Sequence, residues 1–223
     1  MSDPAARLAD LLPGANLTVQ EIPMARPMRL ALLQSDFTQA GLPPAVTRRL
    51  MEEPPFWVFC WPSGHLLAHL IATNPALVTG RTVLDFGCGA GVVAVAAALH
   101  GARALACDLD PVALAATAHN AALNQVEVEL FSDYDSIQGT IDVVFLADVL
   151  YDHTNLPWLA RLAVRAEGMA VADSRFHGDP GHGLRLLGTR PMRAVPDFDL
   201  HDEFGQVSLF ARGLPEEGLT LPA

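Results

Sequence analysis

The sequence predicts an α/β fold: a doubly wound, seven-stranded, mostly parallel sheet with helices on both faces and an N-terminal extension. Three observations predict it. The stretch Thr82-Val-Leu-Asp-Phe-Gly-Cys-Gly-Ala-Gly-Val-Val92 runs from an apolar segment through three glycines into VVAVAAALH, the order strand, tight turn, helix. That order brings bare backbone N–H groups to a ligand at the carboxyl edge of a sheet. From Arg81 onward, short apolar runs alternate with helical patterns, as they do in β-α units of a parallel sheet. Finally, a chain of 223 residues that is 51% hydrophobic can bury one sizeable core.

Residues 1–53 read as the extension and residues 54–223 as the main domain. In the extension, Pro4–Leu12 places Leu8, Leu11 and Leu12 on one side of a short helix. Leu17–Ile22 and Met28–Leu33 read as strands separated by Pro23 and Pro27. Asp36–Pro44 reads as a loop punctuated by Gly41, Pro43 and Pro44, and Val46–Met51 as a short helix. Phe56, Trp57, Phe59 and Trp61 then crowd between prolines, a composition better suited to a pocket wall than to a regular strand. Leu66, Leu67, Leu70 and Ile71 recur at helical spacing, so a helix runs from about Ser63 to Thr73 and ends at Asn74-Pro75.

The alternating region follows. Strand one is Thr82–Asp85, with its helix over Gly91–His100. Strand two is Ala104–Asp108. Asp110 is an N-cap with Pro111 at the first helical position, opening a helix to about Leu123. Strands three and four are Val126–Phe131 and Ile141–Leu146. Asn155 caps a helix through Arg165, and strand five is Gly168–Ala172. After a loop over Ser174–Gly183, a short helix is expected around Leu184–Leu187. Met192–Val195 and Val207–Phe210 are expected to close the sheet as a hairpin across the acidic linker Pro196–Gly205.

Composition narrows the function. The formal net charge of −11 argues against a nucleic-acid partner held through its phosphates, and suits a small molecule or a basic patch on another protein. Cys60, Cys88 and Cys107 lack metal spacing and leave an odd thiol, as small buried residues in a reducing compartment do. The start, MSDPAARLAD, has no signal-peptide core, and the longest apolar run falls short of a membrane span. A cytoplasmic monomer or weak oligomer without membrane contact is therefore expected. His65 and His69 lack the Glu of an H-E-x-x-H hydrolase. His177 and His182 have no ligand pattern around them, so no metal is expected. Ser63 and Ser174 stand outside any nucleophile elbow.

A dinucleotide fingerprint G-x-G-x-x-G beginning at Gly87 would need its third glycine where Val92 stands. The pattern is instead D-x-G-x-G-x-G over Asp85, Gly87, Gly89 and Gly91, which resembles motif I of the class I S-adenosylmethionine (SAM) methyltransferases. SAM has an aminocarboxypropyl arm, a ribose diol and an adenine to be held. The glycine turn can pass beneath arm and ribose, while Asp85 orders the turn and reaches toward the ammonium. Asp108, 17 residues beyond Gly91 at the end of strand two, can accept from the ribose hydroxyls. Asp133, after strand three, is the candidate acceptor for the adenine amino group, with Leu109 as an apolar lid. Asp148 and Tyr151, in A-D-V-L-Y-D after strand four, form D-x-x-Y beside the cofactor crevice. A carboxylate there can receive a substrate ammonium and orient the amine, and Tyr151 can wall the pocket.

Together D-x-G-x-G-x-G, the C-D-L-D-P of Cys107–Pro111, His119-Asn120 with Asn124, and D-x-x-Y resemble the seven-β-strand protein lysine methyltransferases. The P-F-W-V-F-C-W-P-S-G and A-D-V-L-Y-D segments are most similar to the electron-transfer-flavoprotein β-subunit lysine methyltransferases and their bacterial relatives. The likeness covers roughly residues 54–178. It implies a Rossmann-like fold, SAM as methyl donor, Asp148 and Tyr151 near a target lysine, and Trp61 near the cofactor. It also implies the flavoprotein β subunit as protein partner. Two places depart from the family pattern. Ser63 and His65 stand in W-P-S-G-H where W-P-G-G-Q is usual, and Asp173-Ser-Arg-Phe-His follows strand five where a D-P-G-R-like stretch is expected.

Overall fold

In the computed structural model, which describes residues 3–24, 26–38, 41–197 and 205–215, the apolar runs become strands. Thr82–Phe86 (β3), Arg103–Cys107 (β4), Val128–Phe131 (β5), Ile141–Ala147 (β6) and Ala166–Asp173 (β7) pair in parallel; Arg185–Pro191 (β8) and Gln206–Arg212 (β9) add antiparallel. The order across this seven-stranded sheet is β5-β4-β3-β6-β7-β9-β8. Leaving β3, the chain builds outward through β4 and β5 and then returns to the other side of β3 as β6. The resulting switch point between β3 and β6 opens a crevice at the carboxyl edge, where ligands of such sheets bind.

Side-chain alternation decides which helix covers which face. Val83, Val143, Phe145 and Ala170 face Pro62–Thr73 (α3) and Val92–Leu99 (α4) in one fully buried cluster. Pro111–Leu123 (α5) packs on the same side, its Leu114 against Ala94 and Ala106. Leu84, Val144 and Leu146 point the opposite way, to Leu159 and Leu162 of Leu156–Arg165 (α6). Alanine dominates α4 and α5, and its small side chain lets these helices lie close to the sheet and to one another.

The extension forms Pro4–Leu11 (α1), an antiparallel hairpin of Leu17–Ile22 (β1) and Met28–Leu33 (β2), and Pro44–Glu52 (α2). Ile22, Met28, Leu30 and Leu32 share the buried cluster of α3 and α4. The pair is held to α5 by two asparagines. Asn120 Oδ1 accepts from Ala31 N at 2.7 Å. Asn124 accepts from Arg29 N at 2.9 Å and donates to Arg29 O at 2.6 Å. These side chains satisfy edge-strand backbone groups that would otherwise lack partners.

Three sequence expectations need correction. Leu184–Leu187 is not helical: β8 starts at Arg185, and Met192–Val195 lies outside the sheet. Four residues cannot stabilise a helix alone, whereas extended backbone finds partners on β9, with a register shift between Leu186 and Gly188 absorbing one residue. Met192–Val195 is drawn away because Val195 exchanges both backbone hydrogen bonds with Cys60, each 2.8 Å. Asn155 is not a side-chain cap either. Its amide donates to Val149 O at 3.0 Å, and Asp152 caps the short turn before it by accepting from Thr154 N. The acidic linker falls largely on residues 198–204, outside the described residues.

Candidate active site

Each parallel strand of the sheet ends in an aspartate at the carboxyl edge: Asp85 in β3, Asp108 after β4, Asp133 after β5, Asp148 after β6 and Asp173 closing β7. All five accept hydrogen bonds from backbone N–H groups. Each carboxylate therefore orders the loop beyond its strand, and those that are ionised lend the edge negative character. A ligand carrying cationic groups suits that edge.

On the β3–β4 side the three glycines do what the sequence requires of them. Gly87, Gly89 and Gly91 all lie at positive φ, +75°, +52° and +74°. A Cβ on Gly91 would stand 2.6 Å from Thr117 on α5, so that glycine permits the close helix approach. A Cβ on Gly89 would meet nothing within 4 Å; its backbone borders open space, the cradle an extended ligand arm needs. Asp85 lies under the turn, fully buried, accepting from Ala94 N at 2.9 Å. Burial pushes its carboxyl up to about 8, with the nearby charge of Asp108 adding, against the hydrogen bonds from Ala94 and Val93. Asp108 accepts from Gly89 N and from Asp110 N, both at 2.9 Å, one on each oxygen. Each oxygen keeps a further lone pair, enough for a diol. Burial also raises the Asp108 carboxyl, opposed by these amides. Asp110 caps α5 as expected, accepting from Val112 N at 2.8 Å.

On the β6–β7 side, Asp148 follows β6 with φ at +49°, a left-handed conformation that aspartate tolerates better than most residues. Its Oδ1 accepts from Ser174 N at 3.1 Å and Ser174 Oγ at 2.8 Å. Its Oδ2 is buried and has no hydrogen-bond partner. Burial and the charge of Asp173 raise the Asp148 carboxyl, against the hydroxyls of Ser63 and Ser174. Ser63 Oγ, in the first turn of α3, is likewise buried without a hydrogen-bond partner. Asp173 fixes the two loops: Oδ2 accepts from Leu150 N at 2.8 Å, and Oδ1 from Arg175 N at 2.9 Å and Phe176 N at 2.8 Å.

An aromatic wall rises over this side. Trp61 donates from its indole to Phe56 O at 2.8 Å. It lies edge-on to Phe56, which in turn lies edge-on to Tyr151. Tyr151 carries the Arg175 guanidinium 3.6 Å above its ring. Phe56 and Tyr151 remain 45% and 38% exposed, so the wall faces outward at the mouth rather than filling the core.

The fold thus brings Trp61, Asp85, Gly87, Gly89, Gly91, Asp108, Asp148 and Tyr151 to one edge of the sheet. Leu109, beside Asp108, is 88% exposed and free to cover a ligand face. Asp133 lies further out, exposed at the tip of β5, where it caps a short turn through Asp135 N at 3.0 Å. Sequence reasoning passed over Ser63, Asp173 and Ser174 as site residues. The departures from the expected family pattern at Ser63 and Ser174 were the visible signal, but the residues they meet lie far away in the chain. Among the described residues no group of three or more His, Cys, Asp and Glu could hold a metal ion, and no helix is long and apolar enough to cross a membrane.

Residues 69–170 match the family model of the ribosomal protein L11 methyltransferase (PrmA). The chain is 41% identical over 163 residues to the electron transfer flavoprotein beta subunit lysine methyltransferase of Danio rerio, covering 66% of this chain and 59% of that protein. It is 37% identical over 135 residues to the Xenopus laevis protein of the same name, covering 57% and 53%. To the ribosomal protein L11 methyltransferase of a Vibrio cholerae strain it is 43% identical over 76 residues, covering 33% and 26%. The chain thus spans about three fifths or less of the length of these curated relatives. Among solved structures, a 16S rRNA N2 methyltransferase of T. thermophilus in complex with AdoMet and guanosine superposes with a TM-score of 0.58 at 14% identity, covering 90% of this chain and 51% of that one. Magnesium protoporphyrin IX methyltransferase from Synechocystis, with bound S-adenosylhomocysteine, gives 0.51 at 14% identity, covering 78% and 89%.

Proposed function

We propose that this chain, whose residues 69–170 match a methyltransferase family model, methylates the ε-amine of a protein lysine using SAM, with the electron transfer flavoprotein β subunit as substrate. One observation carries this reading: Asp148 Oδ2 is a buried acceptor without a partner at the strand end beside the switch point. A buried lone carboxylate oxygen is costly unless a donor comes to it, and an amine is such a donor.

The residues divide the work. The backbone at Gly87 and Gly89 cradles the arm of SAM, and Asp108 takes the ribose. Asp85 holds the turn by accepting from Ala94 N. Bound there, SAM supplies an activated methyl on a sulfonium. Asp148 Oδ2 accepts an N–H of the incoming amine and aims the nitrogen into the crevice. Ser174 holds that carboxylate by its other oxygen. Tyr151, Phe56 and Trp61 wall the entry and exclude water. A lysine has a reference pKa of about 10.4, so it must release a proton before its lone pair can react. Desolvation between the aromatic wall and a cationic cofactor favours that loss. Positioning then does most of the remaining work, as in other in-line displacements. The net charge of −11 suits approach of a basic protein surface.

The family match and the Vibrio relative favour a second reading, methylation of a ribosomal protein. An aspartate at position 148, where those enzymes resemble N-P-x-x, speaks for the lysine reading. Purified protein with SAM, offered the flavoprotein β subunit or ribosomal protein L11 and analysed by intact-mass spectrometry, tests both. Methyl gain on the first is expected, and gain on the second alone would replace the reading. Asp148→Asn should lower turnover by about a hundredfold or more while S-adenosylhomocysteine still binds. Undiminished turnover in that variant would remove Asp148 from the chemistry.

A further inference from the structure

Both named residues of D-x-x-Y are held by one short segment that follows the neighbouring strand. Ser174 grips Asp148 Oδ1, from its N–H at 3.1 Å and from its hydroxyl at 2.8 Å. Asp173 accepts from Leu150 N at 2.8 Å on one oxygen and from Arg175 N at 2.9 Å on the other. The residue before Tyr151 and the residue after Ser174 are thus tied to a single carboxylate. From that shared anchor the Arg175 guanidinium lies 3.6 Å above the Tyr151 ring centroid. Tyr151 stands on a turn beyond β6 and is 38% exposed, so no strand or helix sets its side chain. Phe56 meets the ring edge-on at 6.5 Å and bounds it on one side. The planar guanidinium on its face fixes its tilt.

We propose that Arg175 is a positioning residue: its guanidinium, seated on the face of Tyr151, sets that ring as the wall along which the target lysine's side chain enters. The inference rests on the methyl-transfer reading for its functional half. The segment Asp173-Ser-Arg then serves both residues of D-x-x-Y, Asp148 through Ser174 and Tyr151 through Arg175. Arginine suits the task because its guanidinium is flat, stays charged and stacks on an aromatic face.

The test uses the full-length protein grown with fluorotyrosine and followed by fluorine NMR. The two tyrosines, Tyr134 and Tyr151, give two signals, and Tyr151→Phe assigns them. Tyr134 is 4% exposed, so its signal reports an intact core in every variant. Arg175→Met and Arg175→Ala both remove the cation, and the pair guards against one variant folding poorly. Each should move the Tyr151 signal toward that of free fluorotyrosine, while Arg175→Lys stays nearer to wild type than to either. A Tyr151 signal unmoved in both variants overturns the proposal. In the transfer assay on the flavoprotein β subunit, KM should rise about fivefold in Arg175→Met and Arg175→Ala. There kcat and S-adenosylhomocysteine affinity should hold, and Arg175→Lys should again lie nearer to wild type. A moved signal with unchanged KM overturns the role, and so does an Arg175→Lys that behaves like Arg175→Met. If the wild-type protein methylates no protein lysine, the methyl-transfer reading fails by itself and the positioning role falls with it. The fluorine signal then still decides the Arg175–Tyr151 contact.

Discussion

On the β3–β4 side of the crevice, carboxylates serve backbone amides alone: Asp85 holds Ala94, and Asp108 holds Gly89 and Asp110. On the β6–β7 side a side chain takes part as well. Asp148 is clamped by Ser174, and Asp173 holds Leu150. The first side is a backbone cradle whose shape is set by three glycines at positive φ. The second is a side-chain seat whose key oxygen has no partner. The contrast matches a division of labour in which a common donor is held by backbone and a particular acceptor is chosen by side chains.

The sharpest way to break this contrast is through the glycines. Gly89→Arg should abolish S-adenosylhomocysteine binding in calorimetry while circular dichroism still shows a cooperative melt at a lowered temperature, because a Cβ at Gly89 meets open space and the cost is that of a left-handed backbone alone. Gly91→Ala should do the reverse first. Its Cβ would press on Thr117 at 2.6 Å from a left-handed backbone, so a stability loss of about 3 kcal/mol is expected. If Gly89→Arg binds the ligand normally, the cradle is misplaced. If Gly91→Ala melts like wild type, helix α5 has room to retreat.

A second pair compares the carboxylate holders. Asp108→Ala removes a ribose acceptor and the tie on Gly89, so S-adenosylhomocysteine should bind about tenfold more weakly or worse. Ser174→Ala loosens Asp148 without touching the cradle. Turnover should fall roughly tenfold there with ligand affinity kept. Equal effects of the two variants on affinity would show that the two sides act as one.

The first side was legible because its logic is local. D-x-G-x-G-x-G fixes strand, turn and helix within ten residues, and Asp108 sits at the next strand's end. D-x-x-Y pointed to Asp148, but nothing near it in sequence names Ser174 as its neighbour, since the 26-residue separation from Ser174 is closed only by the β6–β7 pairing. The hairpin edge was misread for a related reason. Leu184–Leu187 carries an apolar pattern that suits helix or strand, and only the partner β9 settles which. Likewise Val195 leaves the sheet for Cys60, a contact across most of the domain that no local pattern announces.

The smallest expected effect concerns Asp85 and pH. Its carboxyl is pushed up to about 8 in the folded chain from an ordinary 3.8. Between those values the folded protein holds a proton that the unfolded chain has released, so stability must fall as pH rises. The contribution is complete below about pH 4 and gone once pH passes about 8. Asp108 and Asp148 are raised too and slope the same way. Asp85→Asn keeps an acceptor for Ala94 N and cannot ionise, so it should flatten part of the slope. Melts at pH 5 and pH 8 are expected to show the wild-type protein losing roughly 5 °C more than the variant. Equal losses would mean that the helix amides hold Asp85 ionised despite its burial. The carboxylate beneath the turn would then bring full negative charge to the cradle even before a ligand arrives.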